Sequence, residues 1–163
     1  MSSLRIGLGI DTHAFASEEE GRALILGGVR LQHPRGLAGH SDADVLVHAI
    51  MDALLGAARL GDIGLHFPPT DPVFKGADSL DLLRQVEQLL VLEGWRIEDV
   101  DSVIIAQEPR LSPFRDEMRM NIAEALGIKL EQVGIKATTT ERLGFEGRKE
   151  GISAYAVALL HRT

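Results

Sequence analysis

Residues 152–160 constrain the fold most strongly, because they predict a β-strand that has no polar face. Alanines alternate along it with larger apolar residues, in the order Ala154, Tyr155, Ala156, Val157, Ala158 and Leu159. Successive side chains of a strand point to opposite faces, so a sheet built on this segment needs a cover on both sides. Helices can pack closely on the alanine face. A chain of 163 residues has few helices to spare for the other face, and we predict that a homo-oligomer buries it.

The rest of the chain alternates predicted strands and helices without a repeat or a linker. Strands are expected over residues 4–10, 100–105 and 133–139, with a hairpin or a bulged strand over 23–31. Helices are expected from residue 41 for about four turns, over 78–93, and from 113 to 126. This pattern predicts a single domain over residues 1–163, of the α/β (α+β) class.

Composition and charge narrow the classes of function. The chain has 17 Lys and Arg against 24 Asp and Glu, a net charge of -7, which argues against nucleic-acid binding through a broad basic surface. Without cysteine, disulfides and thiolate chemistry are excluded. No apolar run approaches the roughly 20 residues that span a bilayer, and residues 1–5 lack the form of a signal peptide. We therefore expect a cytoplasmic protein with no membrane partner.

Asp11 and His13 are the first candidates for metal ligands. On extended backbone, residues two apart point the same way, so a carboxylate oxygen and an imidazole nitrogen can reach one ion. Zinc accepts both ligand types, and a catalytic zinc usually has three protein ligands and one open position. His48 is the predicted third ligand, because a partly buried imidazole between apolar neighbours in a helix needs a polar partner. Two imidazoles favour zinc over magnesium.

The predicted helix that carries His48 has polar residues at every fourth position, namely His40, Asp44, His48 and Asp52. We expect Ser41 to cap the start of this helix, with Asp44 three residues on. His40 would then lie where open backbone amides can receive a polar substrate group. A solvated helix face is the simpler interpretation, and a lone Asp-x-His pair is a weak metal signal. The residues by themselves leave both interpretations open.

Gly61 and Gly64 lie in a loop that suits phosphate binding. Gly61 is expected to end the preceding helix, whereas Gly64 and the proline-rich segment 66–70 have no such plain role. Glycine lets backbone amides approach a ligand closely, and prolines suit a stiffened lid.

The exit of the strand over 133–139 carries a second set of groups that suit phosphate, in the order Thr138, Thr139, Thr140, Glu141 and Arg142. Hydroxyls can donate to phosphate oxygens, and Glu141 can hold a magnesium ion that bridges them. Arg148 adds another positive charge a few residues later. Together these segments place polar and cationic groups on loops at strand ends, where such sheets commonly bind ligands.

Six blocks of the sequence resemble one known enzyme family over nearly the full chain. They are Gly9-Ile10-Asp11-Thr12-His13, Gly39-His40-Ser41-Asp42-Ala43-Asp44, Asp52-Ala53-Leu54-Leu55-Gly56-Ala57, Gly61-Asp62-Ile63-Gly64, Lys136-Ala137-Thr138-Thr139-Thr140-Glu141 and Gly144-Phe145-Glu146-Gly147-Arg148. In these blocks and their order the chain resembles the 2-C-methyl-D-erythritol 2,4-cyclodiphosphate synthase family of the non-mevalonate isoprenoid route.

The resemblance implies a phosphorus-oxygen lyase that acts on 4-diphosphocytidyl-2-C-methyl-D-erythritol 2-phosphate. The 2-phosphate would attack the β-phosphate, close a cyclic diphosphate and release CMP. It implies one zinc per subunit on Asp11, His13 and His48, and a magnesium or manganese ion on Glu141 with the substrate diphosphate. It also implies a homotrimer with active sites between subunits, so the expected fold is a mixed β-sheet covered by helices on one face and buried in the trimer on the other.

The resemblance further implies that His40 and Thr139 stabilise the transition state. The implied contacts to the erythritol phosphate are His40, Ser41, Asp62, Ile63, Gly64, Phe67, Pro68, Pro69, Thr70 and Asp71. Asp11, Thr12 and His13 are also implied to contact the substrate. The implied cytidine pocket consists of Ala106, Gln107, Glu108, Pro109, Arg110, Leu111 and Ser112. The remaining implied contacts are Thr138, Thr139, Thr140, Glu141, Phe145 and Arg148.

Two other functions stay open from the residues. One is a mononuclear zinc phosphohydrolase, in which the open zinc position activates water. The other is a non-catalytic oligomer that uses the histidine-rich site only for structure. Replacement of His48 separates the last from an enzyme, because a structural site would be needed for folding or assembly.

Overall fold

A computed structural model describes residues 3–162, which form six β-strands and five α-helices joined by short turns. The strands are β1 (Ser3–Ala14), β2 (Leu24–Leu26), β3 (Val29–Leu31), β4 (Arg96–Ile105), β5 (Val133–Thr138) and β6 (Gly151–Arg162). The helices are α1 (Val45–Ala58), α2 (Ile63–His66), α3 (Ser79–Leu92), α4 (Arg115–Leu126) and α5 (Gly144–Gly147). The predicted domain over residues 1–163 also includes Met1, Ser2 and Thr163, which lie outside the described residues.

Four of the strands form one mixed sheet in the order β1-β6-β4-β5, while β2 and β3 form a separate hairpin. β6 runs antiparallel to both β1 and β4, and β4 runs parallel to β5. In β1, Asp11 pairs with Ala154 and His13 pairs with Ile152. We had expected both candidate ligands to follow the first strand. They lie inside it instead, where the hydrogen bonds to β6 hold their backbone.

Helix α1 packs very closely on the sheet because the residues between them are small. The alternating alanines of β6 are buried on this side, as predicted. Gly7 and Gly9 of β1 face α1 so closely that an added Cβ would lie 1.9 Å from the Ala53 carbonyl oxygen and 1.8 Å from that of Ala49. The glycines therefore set the distance between the strand with Asp11 and the helix with His48.

The other face of the sheet is apolar and exposed within the described chain. Alternate residues of β1 point to it, from Ile6 at 74% exposure to Ile10 at 50%. Tyr155 and Val157 of β6 lie beside them in the register and are also exposed. The helices cover only one face, so the need for a second cover that the sequence predicted is present in the structure. A contiguous apolar surface of this kind marks an interaction site.

The start and end of helix α1 correct two of our predictions. The N-cap is Asp44, whose side chain accepts from the Val47 N–H, and not Ser41, whose hydroxyl accepts from the Ala43 N–H at 3.2 Å. The Asp44 carboxylate also accepts from the turn of the β2–β3 hairpin, at 2.9 and 2.8 Å. These long-range bonds favour aspartate at the cap. At the other end, Arg59 in left-handed conformation caps the helix before Gly61 is reached.

In the range 3–162, no helix is long and apolar enough to cross a membrane. The architecture is a mixed α/β domain with helices on one face of a mixed sheet, which confirms the predicted fold class.

Candidate functional site

Asp11, His13 and His48 converge at the edge of the helix-covered face. Asp11 Oδ2 lies 2.7 Å from His13 Nε2 and 3.1 Å from His48 Nδ1. The two ring nitrogens lie 3.3 Å apart. Because β1 supplies two of these groups and α1 the third, the close strand–helix packing brings them together. The convergence of the three side chains predicted from the sequence is therefore present in the fold.

The hydrogen bonds of each histidine determine which ring nitrogen faces the cluster. His13 Nδ1 lies 2.8 Å from the carbonyl oxygen of Ala38. A carbonyl only accepts, so Nδ1 carries a hydrogen, and Nε2 is the nitrogen directed at the Asp11 carboxylate and at any cation that replaces the proton between them. Metal-bound histidine commonly has its second nitrogen held in this way. The ring of His13 is therefore prepared to bind a cation through Nε2.

The close approach of the three side chains shifts the pKa values of Asp11 and His13. Burial by itself raises the pKa of the Asp11 carboxyl, but hydrogen bonds from His13 and His48 outweigh burial and hold it well below its usual range. Burial lowers the pKa of His13, whereas the hydrogen bond and charge of Asp11 raise it above its ordinary value overall. The carboxylate is thus ionised at neutral pH. A cation that displaces the proton shared in this cluster finds the negative charge already in place.

The donor set fits zinc. Ligand bonds of about 2.0–2.2 Å around a tetrahedral ion place the ligand atoms roughly 3.3 Å from one another. Two of the three separations, 3.1 and 3.3 Å, are close to this value, and the third, 2.7 Å, is shorter. One carboxylate and two imidazoles are ligands that zinc accepts, and three protein ligands are the number that catalytic zinc sites usually have.

The three groups open into a cavity of about 250 Å³. Its polar side is formed by the cluster together with His40 and Ser41, while α2 and the following loop contribute Ile63, Gly64, Phe67 and Pro69. The apolar wall is completed by Met51, Phe74 and Leu82. A cavity with apolar walls and a few convergent polar groups suits a small ligand that must be oriented as well as bound.

Other predicted contacts of this region serve the local fold. The Asp62 side chain caps α2 by accepting from the Leu65 N–H at 3.0 Å. His40 Nε2 donates to the Asp71 carbonyl oxygen at 3.1 Å, which ties the cavity to the loop after α2. Thr12 points to the opposite face of β1 and shares a hydrogen bond with Ser153 at 3.0 Å. Pro68 and Thr70 lie in the loop between these groups and do not line the cavity.

The polar positions around α1 separate into different roles. His40 precedes the helix and does not lie on it, contrary to our expectation, because α1 starts only at Val45. Asp44 is a buried cap. Asp52 accepts from the Ile63 N–H at 2.8 Å and so anchors the start of α2. Burial raises the pKa of the Asp52 carboxyl, against the effect of that hydrogen bond. Only His48 of this helix is directed into the cluster.

The predicted cytidine segment borders a second cavity of about 360 Å³. It is lined by Ala106, Gln107, Pro109, Arg110, Leu111, Ser112, Ala137, Thr138 and Thr139. Glu108 points elsewhere and binds His33 and Lys149 at 3.4 and 3.1 Å. A hydrogen bond from Lys149 lowers the pKa of Glu108. The two cavities share no lining residue, so one chain does not unite them.

The remaining predicted residues lie on the loop between β5 and β6. Thr140 donates to the Leu143 carbonyl oxygen at 2.5 Å, and Glu141 has positive φ and is exposed. Phe145 is half-buried in α5, and exposed Arg148 pairs with Glu150 at 3.0 Å. Among the described residues, the groups close enough to share one ion are Asp11, His13 and His48, and Glu141 is not one of them.

Sequence reasoning missed the residues behind His48. Its Nε2 lies 2.9 Å from the hydroxyl of Ser79, which is fully buried at the start of α3 and hydrogen-bonds the Asp42 carboxylate. Met51 could have been found, because it lies three positions after His48 and shares its helix face. Ser79 and Leu82 carry no such signal, since α3 reaches the site only through the tertiary fold.

The fold and the site define an α/β protein with a three-residue candidate metal centre between a sheet strand and its covering helix. The chain belongs to the YgbB family, whose sequence model matches residues 4–161.

Relatives and solved structures of the family match almost the whole chain. It is 60% identical over 162 residues to the 2-C-methyl-D-erythritol 2,4-cyclodiphosphate synthase of Synechococcus elongatus, covering 99% of both chains. It is 58% identical over 160 residues to the synthase of Thioalkalivibrio sulfidiphilus, covering 98% of both. The bifunctional IspDF from Campylobacter jejuni superposes with a TM-score of 0.94 at 41% identity, over 100% of this chain and 43% of that one. The CDP complex of IspF from Plasmodium falciparum superposes with a TM-score of 0.85 at 35% identity, over 99% and 97%.

Proposed function

We propose that this protein is a cyclodiphosphate synthase, a phosphorus-oxygen lyase of isoprenoid precursor synthesis. It converts 4-diphosphocytidyl-2-C-methyl-D-erythritol 2-phosphate to 2-C-methyl-D-erythritol 2,4-cyclodiphosphate and releases CMP. The convergence of Asp11, His13 and His48 on one point at the wall of a cavity carries the proposal. The names of its full-length relatives give the reaction, and the CDP complex of the Plasmodium falciparum protein supports a cytidine diphosphate ligand.

The reaction joins two anions, so repulsion between phosphates opposes it. An oxygen of the 2-phosphate forms a bond to the β-phosphorus, and the bond from that phosphorus to CMP breaks. When bound, zinc on Asp11, His13 and His48, with a magnesium or manganese ion on Glu141, would neutralise and align the phosphates. The nucleophile is already an anion, so no side-chain nucleophile is needed.

The side chains around the cavity position the substrate in this proposal. His40 and Ser41 lie beside the three ligands and can donate hydrogen bonds to the erythritol phosphate. Gly64, in the first turn of α2, lets the helix backbone approach it. Phe67 and Phe74 stack edge to face, with ring centroids 5.4 Å apart, and form an apolar wall that excludes water from the reacting phosphates. Thr139 stabilises charge on the transferring phosphate from the second cavity.

Assembly as a homotrimer with active sites between subunits is part of the proposal. The exposed apolar face of β1 and β6 supports it, because such a surface needs a cover. The separation of the metal and nucleotide cavities within one chain also supports it, since a neighbouring subunit can bring its nucleotide cavity to this metal centre. A cytoplasmic location stays a prediction from the sequence.

Incubation of the purified protein with the cytidyl substrate and zinc plus magnesium tests the reaction. Phosphorus NMR should show a cyclic diphosphate, and chromatography should show CMP in equal amount. Linear phosphates as the sole products would instead establish the zinc phosphohydrolase. His48→Ala should leave an assembled oligomer without activity. Dissociation or unfolding of this variant, with no turnover by the parent protein, would favour the non-catalytic oligomer.

A further inference from the structure

The ring of His48 is held from behind by a chain of buried polar groups. Its Nδ1 faces the cluster, 3.1 Å from Asp11 Oδ2, while its Nε2 lies 2.9 Å from Ser79 Oγ. Ser79 is fully buried, and both its hydroxyl and its backbone N–H donate to the Asp42 carboxylate, the latter at 2.9 Å. The chain thus runs from a carboxylate through a hydroxyl to the imidazole.

The direction of each hydrogen bond in this series follows from which groups can donate and which can only accept. An ionised carboxylate only accepts, so the single hydrogen of the Ser79 hydroxyl is directed to Asp42. Toward His48 the hydroxyl can then only accept. His48 Nε2 must therefore carry a hydrogen, and Nδ1 is the nitrogen left to face Asp11 and a bound cation.

Asp42 is itself fixed on several sides. Its Oδ1 accepts from the Asp44 N–H at 3.1 Å, and its own N–H donates to the Ala77 carbonyl oxygen at 3.1 Å. It therefore links the segment before α1 to the segment before α3. Hydrogen-bonded groups behind a ligating histidine also fix its orientation toward the cation.

Ser41 offers His48 only a weaker alternative partner. Its hydroxyl lies 3.2 Å from the same Nε2 and accepts from the Ala43 N–H at 3.2 Å. Ser41 is half-buried and has no carboxylate that fixes the direction of its hydrogen. Only the contact with Ser79 requires a hydrogen on His48 Nε2.

From these contacts we infer that Asp42 and Ser79 are positioning residues, which hold His48 in the Nε2–H tautomer with Nδ1 directed at the cation. The two histidines then use opposite ring nitrogens. A backbone carbonyl holds His13, whereas replaceable side chains hold His48, so the strength of the site can be changed through Ser79 without touching a ligand. This inference rests on the metal centre of the proposed function.

The test measures zinc affinity by competition with a chelator, and the hydrogen on His48 Nε2 by nitrogen-15 NMR of the metal-free protein. Ser79→Ala should weaken zinc binding about 10- to 100-fold and let the form of His48 without a hydrogen on Nε2 appear. Asp42→Asn should cause a smaller loss, because the amide oxygen still accepts from Ser79 but the charge is gone. Excess zinc should restore most of the activity of both variants, since neither residue contacts substrate.

The controls are Ser102→Ala and Asp78→Asn. Ser102 is another buried serine, which donates to the Gly134 carbonyl oxygen at 2.9 Å. Asp78 caps the same helix through the Leu80 N–H without contacting Ser79 Oγ. Both controls should keep the zinc affinity and the His48 tautomer of the parent.

Zinc affinity within threefold of the parent and an unchanged His48 tautomer in Ser79→Ala would overturn the inference. If that variant does not assemble, Asp42→Asn decides by the same two measurements. A parent protein that binds no zinc would remove the metal centre of the proposed function. A hydrogen on His48 Nε2 would still be expected in that parent, so the two failures are distinguishable.

Discussion

Gly9→Ala tests whether the contact between β1 and α1 sets the geometry of the metal centre. A Cβ at this position would lie 1.8 Å from the Ala49 carbonyl oxygen and 2.7 Å from the Ala53 nitrogen. These are backbone atoms of a helix, so no change of rotamer relieves the contact. Because Asp11 follows two residues later and His48 precedes Ala49 directly, any separation of strand and helix also separates the ligands.

The expected losses of stability and zinc affinity follow from these distances. Real Cβ atoms essentially never lie closer than 3.0 Å to such a neighbour, so β1 and α1 must move apart by about 1 Å. Overpacking of this kind costs about 1–3 kcal/mol, against which the lower chain entropy of alanine returns about 0.4–1 kcal/mol. We expect a net loss of about 1 kcal/mol in the free energy of unfolding. A metal site tolerates about 0.2 Å, so zinc affinity should fall about 10- to 100-fold.

Chemical denaturation and chelator competition measure the two effects. Gly7→Ala is the matched control, because its Cβ would lie 1.9 Å from the Ala53 carbonyl oxygen but two residues further from Asp11. Both variants should lose similar stability, while Gly9→Ala should lose more zinc affinity. Equal zinc affinity in Gly9→Ala and the parent would refute the link between this packing and the site, and unchanged stability would refute the steric estimate.

Three further predictions concern the exposed apolar face of the sheet, Asp52 at the start of α2, and the second cation at Glu141. Ile6→Glu should dissociate the oligomer in sedimentation, because burial of this 74% exposed side chain is worth about 1–2 kcal/mol per subunit and a charge there is costly; Leu92→Glu, at an 81% exposed helix position, should stay assembled. Folding raises the pKa of the Asp52 carboxyl above 3.8. The folded protein therefore binds this proton more strongly than the unfolded chain does, and it loses stability as the pH rises from 3.8 through the folded pKa. In chemical denaturation without metal, Asp52→Asn should be more stable than the parent, and this gain should grow from pH 4 to pH 7. A stability difference that stays constant with pH would contradict the raised pKa of Asp52. Glu141→Gln should lower activity more than zinc content in metal analysis, and an equal loss of both would remove its assignment to the second cation.

Local pattern sufficed for much of this fold. The alternation along β6 predicted a small face for the helices and a larger face without cover, because strand side chains alternate whatever surrounds them. Helix α3 ran over Ser79–Leu92 with Asp78 and Glu93 as its caps, within one residue of the prediction. The Asp-x-His spacing predicted that Asp11 and His13 point the same way, which holds on any extended backbone.

Local pattern did not decide which of two nearby polar residues caps helix α1. Ser41 and Asp44 both suit an N-cap, and the sequence favoured Ser41. The structure selects Asp44 because its carboxylate also accepts from the turn amides of Gly27 and Gly28 at 2.9 and 2.8 Å. Those amides are distant in sequence, so no local rule includes them.

The sequence by itself determined the strands, the helices, the family and the chemical types gathered at the site, because periodicity, turn residues and motifs are properties of short segments. Only the tertiary structure decided which polar groups meet. It placed Ser79 and Asp42 behind His48, assigned Asp52 to an anchor for α2, and kept the cavity beside residues 106–112 apart from the candidate metal centre. The physical reason is that hydrogen bonds and ion binding depend on distances of a few ångströms between atoms on different elements, and packing contacts such as those of Gly7 and Gly9 with α1 set those distances.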